Sequence, residues 1–206
     1  QGQRITNGTV SSTVESIDFA GVQTSPEATT SFTLGANLDA SSSSTTTFNS
    51  PVTIYNSVGT QVTASIQFTK VDGANSWTYN ISTSEGTLTS GASGTVSFDN
   101  SGNLSSPTTD PSIVIDYSAA ASPALTQTLS WDLVNSSGTS NGKLTGFAAS
   151  SNNNSLVQDG FSTGTLVGLT TDSTGIISGL FNNGQTDKLF QVTLGDFLSP
   201  TGLQRA

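Results

Sequence analysis

The stretch from Pro51 to Ser82 reads PVTIYNSVGTQVTASIQFTKVDGANSWTYNIS. Its apolar residues fall on every second position: Val52 and Ile54, then Val62, Ala64, Ile66 and Phe68, then Trp77, Tyr79 and Ile81. Thr63, Ser65, Gln67 and Thr69 stand between them, so one face is apolar and the other rich in hydroxyls. Period two in β-branched and aromatic residues describes strands with a single buried face. The interruptions NSVG (Asn56–Gly59) and DGAN (Asp72–Asn75) are built of turn-forming residues, which predicts a meander of three strands.

The same pattern continues outward. TLTSGASG is too rich in Gly and Ser to assign, but Val96 and Phe98 lead into the turn DNSGN (Asp99–Asn103) and predict another hairpin. Pro107 and Pro111 bracket a loop, after which Ile113, Ile115 and Tyr117, then Leu129, Trp131 and Leu133, predict two more strands. SSGTSNGK (Ser136–Lys143) and SSNNNS (Ser150–Ser155) read as exposed connections around a short Leu144/Phe147 stretch. Strands return at Leu166–Thr170, Ile176–Phe181 and Leu189–Leu194, separated by the turns DSTG (Asp172–Gly175) and NNGQ (Asn182–Gln185). Weaker alternating runs cover Val10–Phe19 and Thr29–Leu34. Nowhere does an apolar period of about 3.6 persist among helix-forming residues, so the fold class is all-β.

The low-complexity patch ASSSSTTT (Ala40–Thr47) marks a domain boundary. If the asparagine run near Asn153 is the matching boundary, the two ends of the chain form one domain with the middle inserted in it, a pairing that pattern alone does not fix.

Composition narrows the chemistry. The chain has 206 residues, 33% hydrophobic and 9% charged, with 14 acidic against 5 basic residues and a net charge of −9. Arg4, Lys70, Lys143, Lys188 and Arg205 are scattered in sequence, which gives no basic patch for nucleic acid. No apolar run approaches the length that crosses a bilayer. Without Cys there is neither a disulfide framework nor a thiolate metal site. Without His, the usual general base and the Ser-His and Cys-His pairs are missing.

The remaining candidates read better as structure. Ser140-Asn141-Gly142-Lys143 has the S-x-x-K spacing of a serine nucleophile, but that pairing needs a helical turn and Asn-Gly argues for a β-turn. GTSNGKL lacks the full spacing of a phosphate loop. Asp99, Asp110, Asp116 and Asp132 invite a paired-carboxylate glycosidase, yet Asp116 and Asp132 fall on the polar phase of strands and Asp99 and Asp110 in turns. DNSGN lacks the bidentate acidic residue of a calcium loop. Sequons such as Asn7-Gly8-Thr9 and Asn80-Ile81-Ser82 are expected by chance at this composition. Trp77 and Trp131 lie on apolar faces, where core packing competes with a sugar-stacking platform. The expectation is therefore no catalytic, cofactor or metal site and no enzyme.

Val157–Arg205 carries DGFSTGTLVGL from Asp159, the D-x-x-G turn before Ile176, F-x-NGQ from Phe181 to Gln185, L-x-x-F from Leu194 to Phe197, and PTGLQR from Pro200 to Arg205. In order and spacing this resembles the closing part of the bacterial flagellar hook protein, a member of the flagellar axial-protein family. PVTIYNSVGTQ onward and VSFDNSGNL (Val96–Leu104) are similar to the opening of that family's outer domain.

The resemblance implies a fold of two β domains, the outer inserted into the inner tube-wall domain. It sets residues 1–38 and 156–206 as the inner domain and 39–155 as the outer. It also implies a core fragment lacking terminal helical segments, monomeric by itself. In the whole protein it implies export through the type III apparatus and self-association outside the cell into a helical tube, the universal joint between motor rod and filament. The partners implied are other axial proteins: rod, hook-filament junction and hook cap. Rod relatives share the C-terminal marks, and the inserted middle favours hook. The alternative from composition alone is a secreted β-rich adhesin or carbohydrate-binding module.

Overall fold

A computed structural model describes residues 1–121 and 123–194. The expected features L-x-x-F, past Leu194, and PTGLQR lie outside the described residues. No helix occurs among the described residues, and the chain is all-β. Two compact units form: the smaller from Gln1–Ser25 with the chain from Thr163 on, the larger from Pro26–Ser162.

In the smaller unit, β1 (Gly2–Thr6), β2 (Thr9–Val10) and β3 (Gln23–Thr24) come from the N-terminal segment. In the larger unit β4 (Ser31–Asn37), β5 (Thr47–Tyr55), β6 (Gln61–Lys70), β7 (Ser76–Thr83) and β8 (Thr87–Ser90) follow. The unit continues with β9 (Ser93–Phe98), β10 (Leu104–Ser106), β11 (Ser112–Asp116), β12 (Gln127–Trp131), β13 (Leu144–Thr145) and β14 (Asn152–Gln158). The chain then completes the smaller unit with β15 (Gly164–Thr171), β16 (Ile176–Phe181) and β17 (Thr186–Val192).

The larger unit holds two sheets. One is ordered β10-β9-β7-β6-β5, and its β5-β6-β7 part is the meander expected from Pro51–Ser82. The other is ordered β13-β4-β12-β11-β8. There β12 and β13 pair with β4 in parallel, while β14 pairs with it antiparallel along its length. The inward phases of both sheets merge into a single buried cluster. Trp131 joins them: its ring lies 5.9 Å from Phe32 in its own sheet, and 6.0 Å from Phe68 and 5.2 Å from Tyr79 in the other. Alternate burial along β6 and β7 is what period two in the sequence dictates.

The smaller unit is one antiparallel sheet ordered β2-β1-β17-β16-β15-β3. Its core is thin, with Ile5, Phe181 and Phe190 buried. Phe19 packs edge-on against Phe190 at 5.5 Å, and the Arg4 guanidinium lies 5.4 Å from the same ring.

The structure corrects several expectations. The boundaries fall at Ser25/Pro26 and Ser162/Thr163, not near residues 38 and 155. The reason is β4: Phe32, Leu34 and Ala36 are buried in the core of the larger unit, so the strand belongs to it. ASSSSTTT is accordingly no boundary but the β4–β5 connection within that unit, tied down by Thr45 N–H donating to the Lys70 carbonyl at 3.1 Å. SSNNNS is not merely a connection, because Asn152–Ser155 open β14. Its residues are exposed throughout Asn152–Val157, and a strand without a buried face leaves no alternation to read. TLTSGASG contributes β8 and the start of β9. Val10–Phe19 extends only to Thr9–Val10 as strand, beyond which Ile17 and Phe19 are half-buried outside any strand, Phe19 against Phe190.

Candidate functional site

The carboxylates singled out by sequence are engaged in hydrogen bonds, Asp99 and Asp116 within their own turns and Asp110 and Asp132 to other segments. Asp99 Oδ1 accepts from the N–H groups of Ser101 (2.8 Å) and Asn103 (2.9 Å), closing the β9–β10 turn around Gly102 at φ +79°. The Asn103 N–H above all holds its pKa below the usual carboxylate range. Asp116 is likewise lowered, chiefly by the Ser118 N–H. Asp110 Oδ1 accepts from Leu133 N–H at 2.8 Å and Val134 N–H at 3.0 Å, fastening the loop before β11 to the end of β12. Asp132 accepts from the Thr33 hydroxyl at 2.8 Å. Among the described residues no three Asp, Glu, His or Cys side chains gather as a metal site.

Ser140–Lys143 is a turn. Ser140 Oγ accepts from Gly142 N–H and Asn141 Oδ1 from Lys143 N–H, each at 3.0 Å, with Gly142 at φ +75°. The helical geometry that would bring Ser140 to Lys143 is not formed. Trp77 and Trp131 are fully buried, which removes the sugar-stacking platform. Lys70 is also buried, its ammonium 5.4 Å from the Trp77 ring centroid. Burial lowers its pKa, against the opposing pull of the Asp39 charge.

DGFSTG turns out to be a clasp. At the end of β14, the Asp159 carboxylate accepts from the N–H of Thr30 at 2.8 Å and of Ser31 at 3.1 Å, and from both residues' hydroxyls. Partial burial works to raise the Asp159 pKa, but the bonds from Thr30 and Ser31 prevail and lower it. Gln158 Oε1 accepts from the Thr29 hydroxyl at 2.9 Å and from Gly160 N–H at 2.6 Å. Glu27 and Phe161 then exchange two backbone bonds of 2.9 Å. Within the smaller unit Gly164 pairs with Thr24, whose hydroxyl accepts from Gly164 N–H at 2.9 Å. Sequence reading found the segment but not the role of Asp159. The available signal was the run Thr29-Thr30-Ser31, donor-rich and without a carboxylate of its own.

A buried-core sandwich whose acidic side chains serve turns and clasps, joined to a second sheet built by both chain ends, defines a β-structural module of a multidomain chain. A family model, the flagellar basal body protein FlaE D2 domain, matches residues 16–161. The chain belongs to that family.

The hook protein FlgE of Treponema pallidum (strain Nichols) is 28% identical over 196 residues, covering 78% of this chain and 41% of the relative. FlgE of Helicobacter pylori (strain ATCC 700392 / 26695) is 29% identical over 179 residues, covering 82% of this chain and 24% of the relative. The chain thus spans less than half the length of these relatives. Among solved structures, H. pylori FlgE2 matches with a TM-score of 0.48 at 16% identity, covering 77% of this chain and 34% of that one. A 32 kDa fragment of FlgE from Caulobacter crescentus matches with a TM-score of 0.41 at 19% identity, covering 54% of this chain and 46% of that one. Nothing in these relatives supports the adhesin alternative.

Proposed function

We propose that the protein containing this chain is a structural subunit of the bacterial flagellar hook, the flexible joint that carries torque from rod to filament. The observation that carries the reading is the family match over residues 16–161, joined to relatives that are themselves hook proteins. The residues 26–162 serve as the outer domain, and the unit of both chain ends as the inner, tube-wall domain. Whole subunits self-associate into a helical tube outside the cell and meet the rod, junction and cap proteins. No catalysis is involved.

The surface suits a joint that bends as it turns. Outward positions of β6, β7 and β9 include Thr63, Gln67, Thr78, Asn80 and Thr95, all exposed. Neutral polar contacts bridged by water can break and re-form in shifted registers at low cost, where large apolar patches would lock. Antibodies raised against this chain and visualised by immunogold on flagella of the source bacterium test the reading. Gold over the short curved segment between cell and filament is expected; label confined to the filament or to the cell surface away from flagella would overturn it.

A further inference from the structure

Three steps in the chain read Asn-Gly: Asn7-Gly8, Asn141-Gly142 and Asn183-Gly184. The pair is chemically reactive, because a following residue without a side chain lets its backbone nitrogen reach the asparagine amide carbon and close a ring. All three steps lie outside the strands, but folding treats them differently. Asn141 Nδ2 donates to the Asp132 carbonyl at 2.8 Å, and Gly142 N–H to Ser140 Oγ at 3.0 Å. Asn183 Nδ2 donates to the Thr24 hydroxyl at 2.9 Å, and Gly184 N–H to the Phe181 carbonyl at 3.0 Å. In both, the nitrogen that must leave and the nitrogen that must attack are each held by a hydrogen bond, and the asparagine is half-buried.

Asn7 differs. It forms with Gly8 the two-residue turn between β1 and β2, at φ +50° and +76°, and both residues are exposed. Among the described residues, neither the Asn7 side chain nor the Gly8 N–H makes a hydrogen bond, and a Cβ added at Gly8 would meet nothing within 4 Å.

We infer that Asn7 is a site of spontaneous deamidation, with water as the co-reactant. The Gly8 nitrogen attacks Asn7 Cγ, the N–Cγ bond forms, the Cγ–Nδ2 bond breaks, and ammonia leaves carrying the Gly8 amide proton. Water then adds to either carbonyl of the resulting succinimide and opens it to aspartate or isoaspartate at position 7. Both products add a carboxylate to a chain of net charge −9. Isoaspartate also puts an extra methylene into the main chain, and a two-residue turn has no slack for it, so the Thr6–Thr9 register that joins β2 to β1 is lost. The edge hairpin of the smaller unit is thus the Asn-Gly step that ages first.

The whole chain is kept at about pH 8 and about 37 °C in water enriched in heavy oxygen and sampled over weeks. Peptides from an acid-pH digest are read by mass spectrometry, where each event leaves heavy oxygen in the product and electron-transfer fragmentation separates isoaspartate from aspartate. Position 7 should convert about tenfold or more faster than positions 141 and 183, with isoaspartate among its products. The same chain held unfolded in guanidinium chloride should lose the contrast, the three steps reacting within about threefold of one another. Equal rates at the three steps in the folded chain, faster conversion at 141 or 183, aspartate without isoaspartate at position 7, or a contrast that survives unfolding would overturn the inference.

Discussion

Trp131→Ala should lower the stability of the larger unit by about 3–5 kcal/mol, read as a shift of its urea midpoint followed by Trp77 fluorescence. Trp131 is fully buried and touches aromatic rings of both sheets, so truncation leaves a cavity at the one point where Phe32, Phe68 and Tyr79 converge. Its indole N–H has no partner among the described residues, so the side chain contributes packing rather than a hydrogen bond. Trp131→Phe, which keeps much of the volume and removes that donor, should therefore cost under about 2 kcal/mol. Equal losses for the two variants would mean that the ring stack is not what joins the sheets.

Gly160→Ala should cost about 1–3 kcal/mol, with amide exchange accelerated selectively in β4 and β14. An added Cβ would sit 2.4 Å from the Thr29 hydroxyl, 2.5 Å from its N and 2.8 Å from its Cα, and backbone cannot step aside as a flexible side chain would. Displacing Thr29 also breaks its hydroxyl bond to Gln158 and the one it accepts from Tyr55 N–H. Gly73→Ala serves as control. Its added Cβ meets nothing within 4 Å, so the cost is confined to placing a side chain at φ +69°. Near-neutral behaviour of Gly160→Ala would show that Thr29 and Gly160 are not in close approach.

How much of this was legible in the sequence depended on where each strand buries its faces. β6 and β7 have one buried and one wet face, so Val62, Ala64, Ile66 and Phe68 declared themselves by period two. β14 has no buried face until Gln158, and its Asn-rich opening is chemically indistinguishable from a loop; only its partner β4 makes it a strand. The domain boundary failed for a related reason. Low complexity in Ala40–Thr47 reports a solvated segment, but a solvated segment can lie between two strands of one sandwich as readily as between domains. The turns fared better. Missing His and Cys are read directly from composition, and turn residues such as Asp99 and Asn141 announced their turns. What sequence could not show is reach: Asp159 binds Thr30 and Ser31 across more than a hundred residues, and only folding brings them together.

The central claim is that a self-sufficient sandwich has been inserted into a second sheet made by both chain ends. Its most direct test is to express residues 26–162 alone and measure urea unfolding beside the whole chain. A single cooperative transition at the midpoint that this unit shows in the whole chain is the result predicted. A fragment that lacks strand signal in far-UV circular dichroism, or unfolds without cooperativity, would contradict it.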